Sequence, residues 1–198
     1  MYAVIIWGGA LFVYALFYCW YVGFRPKIAP EEVETTMALF KNDSTWTKQQ
    51  RENIRAFFSN DDGKDFVMVN LLLLNRPRSE SRKQLTAYQK VFLGQLLRRA
   101  GHPVLVATAA AGNVENVDCD RDEGWGAAGM IRYRSRRDLM EMLPATIGSE
   151  HHGLKLAALQ RTFAFPASPW FLFGGPKLLA PLVIALVAAL AHLSVYAL

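Results

Sequence analysis

The chain has 198 residues, 52% of them apolar, with 22 Lys and Arg against 17 Asp and Glu and a formal net charge of +5. Every one of those charges lies between Arg25 and Lys177, so the averages blend two materials: apolar, charge-free ends and a middle of ordinary globular composition. A small excess spread over both signs excludes a strongly basic nucleic-acid binder and leaves acidic headgroups or an acidic protein surface as partners.

Residues 1–24 carry no charge and would span about 36 Å as a helix, against a hydrocarbon core of roughly 30 Å. No basic stretch precedes this segment and no small-residue cleavage pattern follows it, so it reads as a retained anchor and not a signal peptide. Its aromatic content is high for an inert anchor. Trp7, Phe12, Tyr14, Phe17, Tyr18, Trp20 and Tyr21 are expected to meet lipid or partner helices, with pigments or quinones as further contacts. Cys19 lies inside this segment and Cys119 in the middle, which argues against an intrachain disulfide.

Residues 25–46 form a linker and an amphipathic helix: Pro30 followed by Glu31 and Glu32 suits a first helical turn, and Val33, Met37 and Phe40 recur at helical spacing. A globular domain over 47–168 follows. Thr47 with Gln50 three residues on is a capping-box pattern that opens a second helix with Ile54, Phe57 and Phe58 on its apolar side. The run from Phe66 to Leu74 is an apolar strand bounded by turn signals. Arg76 to Arg82 reads as a polar loop, then Leu85, Tyr88, Phe92 and Leu96 mark a helix that Gly101 closes.

Strands are predicted at Val104–Ala110, Ala127–Tyr133 and Gln160–Phe165. Ser135 and Asp138 cap a helix that Pro144 ends, and another helical segment reaches Leu159. The order strand, helix, strand, strand, helix, strand predicts an α+β, ferredoxin-like βαββαβ domain with extra N-terminal helices.

Residues 169–177, with Trp170 and Phe171, read as an interfacial segment. Residues 178–198 supply a second span, in which Ala185, Ala188 and Ala189 offer a small face for close helix approach and His192 sits near an interface. Arg25, Lys27 and Lys177 flank the spans on their inner sides. By the positive-inside rule the middle domain is cytoplasmic and both termini lie across a bacterial inner or intracytoplasmic membrane.

Three stretches resemble a known pattern: Val67-Met-Val-Asn-Leu-Leu, Ile131-Arg-Tyr-Arg-Ser-Arg-Arg-Asp and Glu150-His-His-Gly-Leu. Across residues 47–166 they resemble bacterial members of the dimeric α/β-barrel superfamily, in a branch whose defining domain has no assigned function. The resemblance implies two ferredoxin-like units pairing their sheets, and relatives that include monooxygenases, haem-handling enzymes and binding proteins. It also implies that a recurring histidine corresponds to His152. Fold alone leaves the activity open.

Asn70, His151 and His152 are the candidate chemical residues. Adjacent histidines on a helix point about 100° apart and do not readily share one metal. His102, before Pro103, reads as a surface residue. Asp118, Asp120 and Asp122 alternate like a calcium loop, but Glu123 stands where that loop needs Gly and Gly129 where it needs Glu. Arg132, Arg134, Arg136 and Arg137 form the densest basic cluster and are expected as a basic surface for acidic partners. No Cys-x-x-Cys, phosphate loop, Gly-x-Ser-x-Gly or His-Glu-x-x-His occurs, and no cofactor is indicated.

Two expectations follow. One is an accessory or structural subunit of a larger membrane complex, such as an energy-converting or photosynthetic one, with integral membrane subunits, lipid or a second copy as partners. The other is a membrane-tethered enzyme or small-ligand binder with a monooxygenase-like barrel cavity lined by Asn70 and one of the two histidines.

Overall fold

A computed structural model describes residues 1–41, 43–115, 117, 124–147, 150–170, 172 and 174–196, and the side chains of Glu150 and His151 lie outside that description. The chain divides into two compact units. One comprises Met1–Phe24 with Trp170–Leu198, the other Arg25–Pro169.

The first unit is a pair of helices, α1 (Tyr2–Val22) and α7 (Pro176–Tyr196), each 21 residues long and each long and apolar enough to cross a membrane. They pack on one another. The less exposed positions of α1, namely Ala3, Ile6, Ala10, Tyr14 and Phe17, recur at helical spacing, as do Ile184, Ala188 and His192 of α7. Ala188 is buried and Ala189 half-buried, but Ala185 is exposed, so the small face expected of these three is narrower than predicted. The backbone N–H of Ala3 donates to the Tyr196 hydroxyl at 3.3 Å. Trp7, Phe12, Tyr18 and Trp20 point outward and remain exposed, as does Trp170. The second helix begins at Pro176, two residues before the predicted start, because Pro suits a first turn that has no amide hydrogen bond to lose.

The second unit opens with α2 (Pro30–Met37), a 3₁₀ turn (Ala38–Phe40) and α3 (Lys48–Ser59). The predicted caps form. Thr47 Oγ1 accepts from the Gln50 amide at 3.2 Å, while Gln50 Oε1 accepts from the Thr47 amide at 2.9 Å. Then follow β1 (Phe66–Leu74), α4 (Arg78–Arg98), β2 (His102–Thr108), β3 (Ala127–Tyr133), α5 (Arg136–Thr146), α6 (Glu150–Ala158) and β4 (Leu159–Ala167). The strands make one antiparallel sheet in the order β2-β3-β1-β4, with Asn70 opposite Gly129 on one side and Ala164 on the other.

Three boundaries differ from expectation. Most of the Arg76–Arg82 stretch is helix, because Pro77 takes an extended conformation at the N-cap and Glu80 lies in the first turn of α4. Pro144 does not stop α5, which continues to Thr146; a proline so near the end forfeits little. At the end of α4 the left-handed residue is Ala100 (φ 56°), whereas Gly101 is required by space: a Cβ there would sit 2.4 Å from Leu96 Cδ1 and 2.9 Å from the Arg132 carbonyl oxygen.

Alternation along β1 sends Phe66, Met68, Asn70 and Leu72 to one face and Val67, Val69 and Leu71 to the other. The first face meets α4 and α5. Phe66, Leu96, Tyr133 and Met142 are buried together there, with Phe66 and Tyr133 rings stacked at 5.0 Å. A second cluster, built on Phe40, Phe58, Val33, Met37 and Leu143, joins α2 and α3 to α5. Phe40 and Phe58 are fully buried, and each such side chain contributes about 1.5–3 kcal/mol.

Candidate functional site

The stripe Leu85, Tyr88, Phe92 and Leu96 turns one side of α4 toward the sheet, and Gln89 falls beside it. His152 and Lys155, three residues apart, share a face of α6, which packs on α4. Together with α5 these helices roof the sheet face that carries Met68, Asn70 and Leu72. Between roof and sheet lies a cavity of about 330 Å³. Its walls are mainly apolar, and its polar side chains include Asn70, Tyr88, His152 and Lys155.

Each polar group is held differently. Asn70 Nδ2 donates to the carbonyls of Met68 at 3.1 Å and Gly129 at 3.2 Å, which orients the amide and directs its remaining capacity, the Oδ1 acceptor, elsewhere. His152 Nε2 is buried without a hydrogen-bond partner. Burial pushes the His152 pKa down, the Lys155 charge pushes it further, and Asp43 opposes them. Burial likewise lowers Lys155. Its Nζ lies 5.9 Å from the centroid of the Tyr88 ring, at the outer edge of a cation–π contact. The Tyr88 hydroxyl is pushed up to about 12 by burial, so it remains a donor at neutral pH. Tyr133 is raised by burial and then by Tyr88.

Asn70 and His152 share one cavity. The cavity lies on the helix-covered face of the sheet. Sequence reasoning missed Lys155 and the polar role of Tyr88. The spacing from His152 to Lys155 was the available signal; Tyr88 looked like one more core aromatic. The His151 side chain, Phe171, Cys119 and the aspartates at 118, 120 and 122 lie outside the described residues. Among the described residues no group of three or more His, Cys, Asp or Glu is placed to hold a metal.

The four arginines expected as a basic surface are instead structural. Arg132 is 1% exposed; its Nε donates to Asp65 Oδ2 at 2.9 Å and its Nη1 to the Ala100 carbonyl at 2.9 Å. Arg134 grips Asp138 with two hydrogen bonds, at 2.8 and 2.7 Å. Arg136 donates to the carbonyls of Phe57 and Asn60 and lies over the Phe57 ring. Arg137 holds Glu32 and the carbonyls of Pro26 and Lys27. Buried guanidinium groups must be paired, and apart from Asp138 the carboxylates that pair them come from distant parts of the chain.

No protein-family model and no curated protein matches this chain. Solved structures resemble it, two of them of one protein. One is RPA0582, a protein of unknown function from Rhodopseudomonas palustris, 21% identical over 64% of this chain and 95% of that one, with a TM-score of 0.51. The other, described as methylated RPA0582 protein, is 20% identical over 66% of this chain and 96% of that one, with a TM-score of 0.50. At such identity the likeness concerns fold alone.

Proposed function

We propose that this chain is a two-span membrane protein whose soluble unit binds a small, largely apolar molecule in the cavity between sheet and helices. The observation that carries this reading is the convergence of Asn70, Tyr88, His152 and Lys155 on one mainly apolar space of about 330 Å³. Such a volume falls at the lower end of the roughly 300–1,000 Å³ usual for small-molecule sites. Antiparallel strands in the order β2-β3-β1-β4, with α4 between β1 and β2 and α5 and α6 between β3 and β4, support a ferredoxin-like architecture for this unit. Helices α1 and α7 act as the spans. Arg25, Lys27 and Lys177 favour the cytoplasmic side of a bacterial inner membrane for the soluble unit.

The test has two parts. Alkaline carbonate should leave the chain in the membrane pellet, and reporter fusions between residues 25 and 177 should be active only as cytoplasmic reporters. Extraction by carbonate would remove the spans from the reading. Environment-sensitive apolar dyes added to the full chain in lipid nanodiscs should bind, and substitution of Ala164, in the cavity wall, by Trp should weaken that binding.

A second reading is favoured by the exposed aromatic side chains of α1 and by Phe163 and Phe165, which are 54% and 45% exposed on β4. In it the chain is an accessory subunit of a larger membrane assembly, with α1 packed on partner helices and the sheet edge or face on a neighbouring subunit or second copy. Stoichiometric recovery of other integral membrane proteins in mild detergent would support it; a free monomer under those conditions would remove it.

A further inference from the structure

We infer that the cavity takes an amphipathic monocarboxylate, its apolar tail lying between sheet and helices and its carboxylate seated against Lys155 and His152. The inference deepens the ligand-binding reading above and rests on it.

Lys155 is half-buried in the cavity wall, and among the described residues it makes no ion pair; its Nζ lies 5.9 Å from the Tyr88 ring centroid. Among the described residues no Asp or Glu lines the cavity, and the acid felt by His152 is Asp43, outside its wall. A half-buried ammonium without a counter-charge draws an anion, and a second basic group, His152, shares its helix face, where its Nε2 is buried and unpaired. One carboxylate answers both needs, because its two oxygens can accept from Nζ and from a protonated Nε2, and the Tyr88 hydroxyl is a third donor nearby.

The count of cations sets the class of anion. Among the described residues no arginine lines the cavity, and one lysine with one imidazole matches a single negative charge better than a phosphate monoester carrying nearly two. The remaining wall is mainly apolar, with Met68, Leu72, Phe92 and Ile131 beside the polar Asn70, Gln89 and Thr146, which suits an alkyl or aryl tail.

Equilibrium dialysis of the full chain in lipid nanodiscs, against octanoate and against octanol, tests this with empty nanodiscs as the blank. Octanoate is expected to bind at least about tenfold more tightly than octanol, and Lys155→Met to bring octanoate to the octanol level with octanol unchanged. Equal binding of acid and alcohol by the unaltered chain would overturn the carboxylate assignment and leave the cavity as a ligand site. Binding of neither above the blank would overturn both. The comparison of acid with alcohol needs no variant, so it decides even if Lys155→Met fails to fold.

Discussion

Arg137 and Glu32, 105 positions apart, meet in a two-pronged ion pair: Nη1 donates to Oε1 at 2.6 Å and Nη2 to Oε2 at 2.8 Å. Through it α5 is joined to the first turn of α2, where Glu32 also accepts from the Ala29 amide at 2.8 Å. The Arg137 guanidinium, followed by that amide, holds the Glu32 carboxyl down from 4.5 to about 2. A carboxylate with a depressed folded-state pKa stabilises above its unfolded pKa, and that contribution disappears as pH falls through the folded one. The stabilisation is thus full above pH about 4.5 and lost toward about 2. Because the Glu32 side chain is 40% exposed, solvent screening limits it. Glu32→Gln should cost about 0.5–1 kcal/mol at neutral pH, and thermal melts should show the gap to the unaltered chain closing over that acid window.

Arg132 presents a more severe case, being almost wholly buried against Asp65 and the Ala100 carbonyl. Arg132→Met should destabilise the unit Arg25–Pro169 by about 3 kcal/mol, since it strands Asp65 and a backbone acceptor. Adding Asp65→Asn should recover part of the loss in denaturant titrations. Full additivity of the two changes would show that the pair is not coupled.

Gly101→Ala sets a new methyl against backbone as well as side chain. Leu96 can turn aside, but the Arg132 carbonyl belongs to β3 and cannot. A loss of about 1–3 kcal/mol is expected by chemical denaturation, whereas Gly129→Ala, whose Cβ meets nothing within 4 Å, should leave packing undisturbed.

His152→Met is expected to act in the opposite direction. Removing a buried, unpartnered Nε2 while keeping comparable volume should raise the stability of the ligand-free chain by about 1 kcal/mol, read as a higher melting temperature. The same variant should bind carboxylate more weakly. A lower melting temperature would mean that the imidazole is satisfied in the free protein.

What the sequence determined alone was whatever depends on neighbours along the chain. The charge-free ends made two long apolar helices, because helix hydrogen bonds are local and those residues have no other use. Thr47 with Gln50 and Ser135 with Asp138 capped their helices as the three-residue spacing required. Apolar alternation and stripes located all four strands to within a few residues.

Tertiary structure decided the rest. The cluster Arg132, Arg134, Arg136 and Arg137 looked like a basic patch because its partners Asp65, Asp62 and Glu32 lie about 70 to 105 positions away; only Asp138 is near. Asn70, Tyr88, His152 and Lys155 come from three elements, and no local pattern encodes their convergence. It follows from β1 taking a central place in the sheet and from α6 packing on α4. Charge and cavity are properties of groups brought together from distant positions. A linear reading sees those groups one at a time.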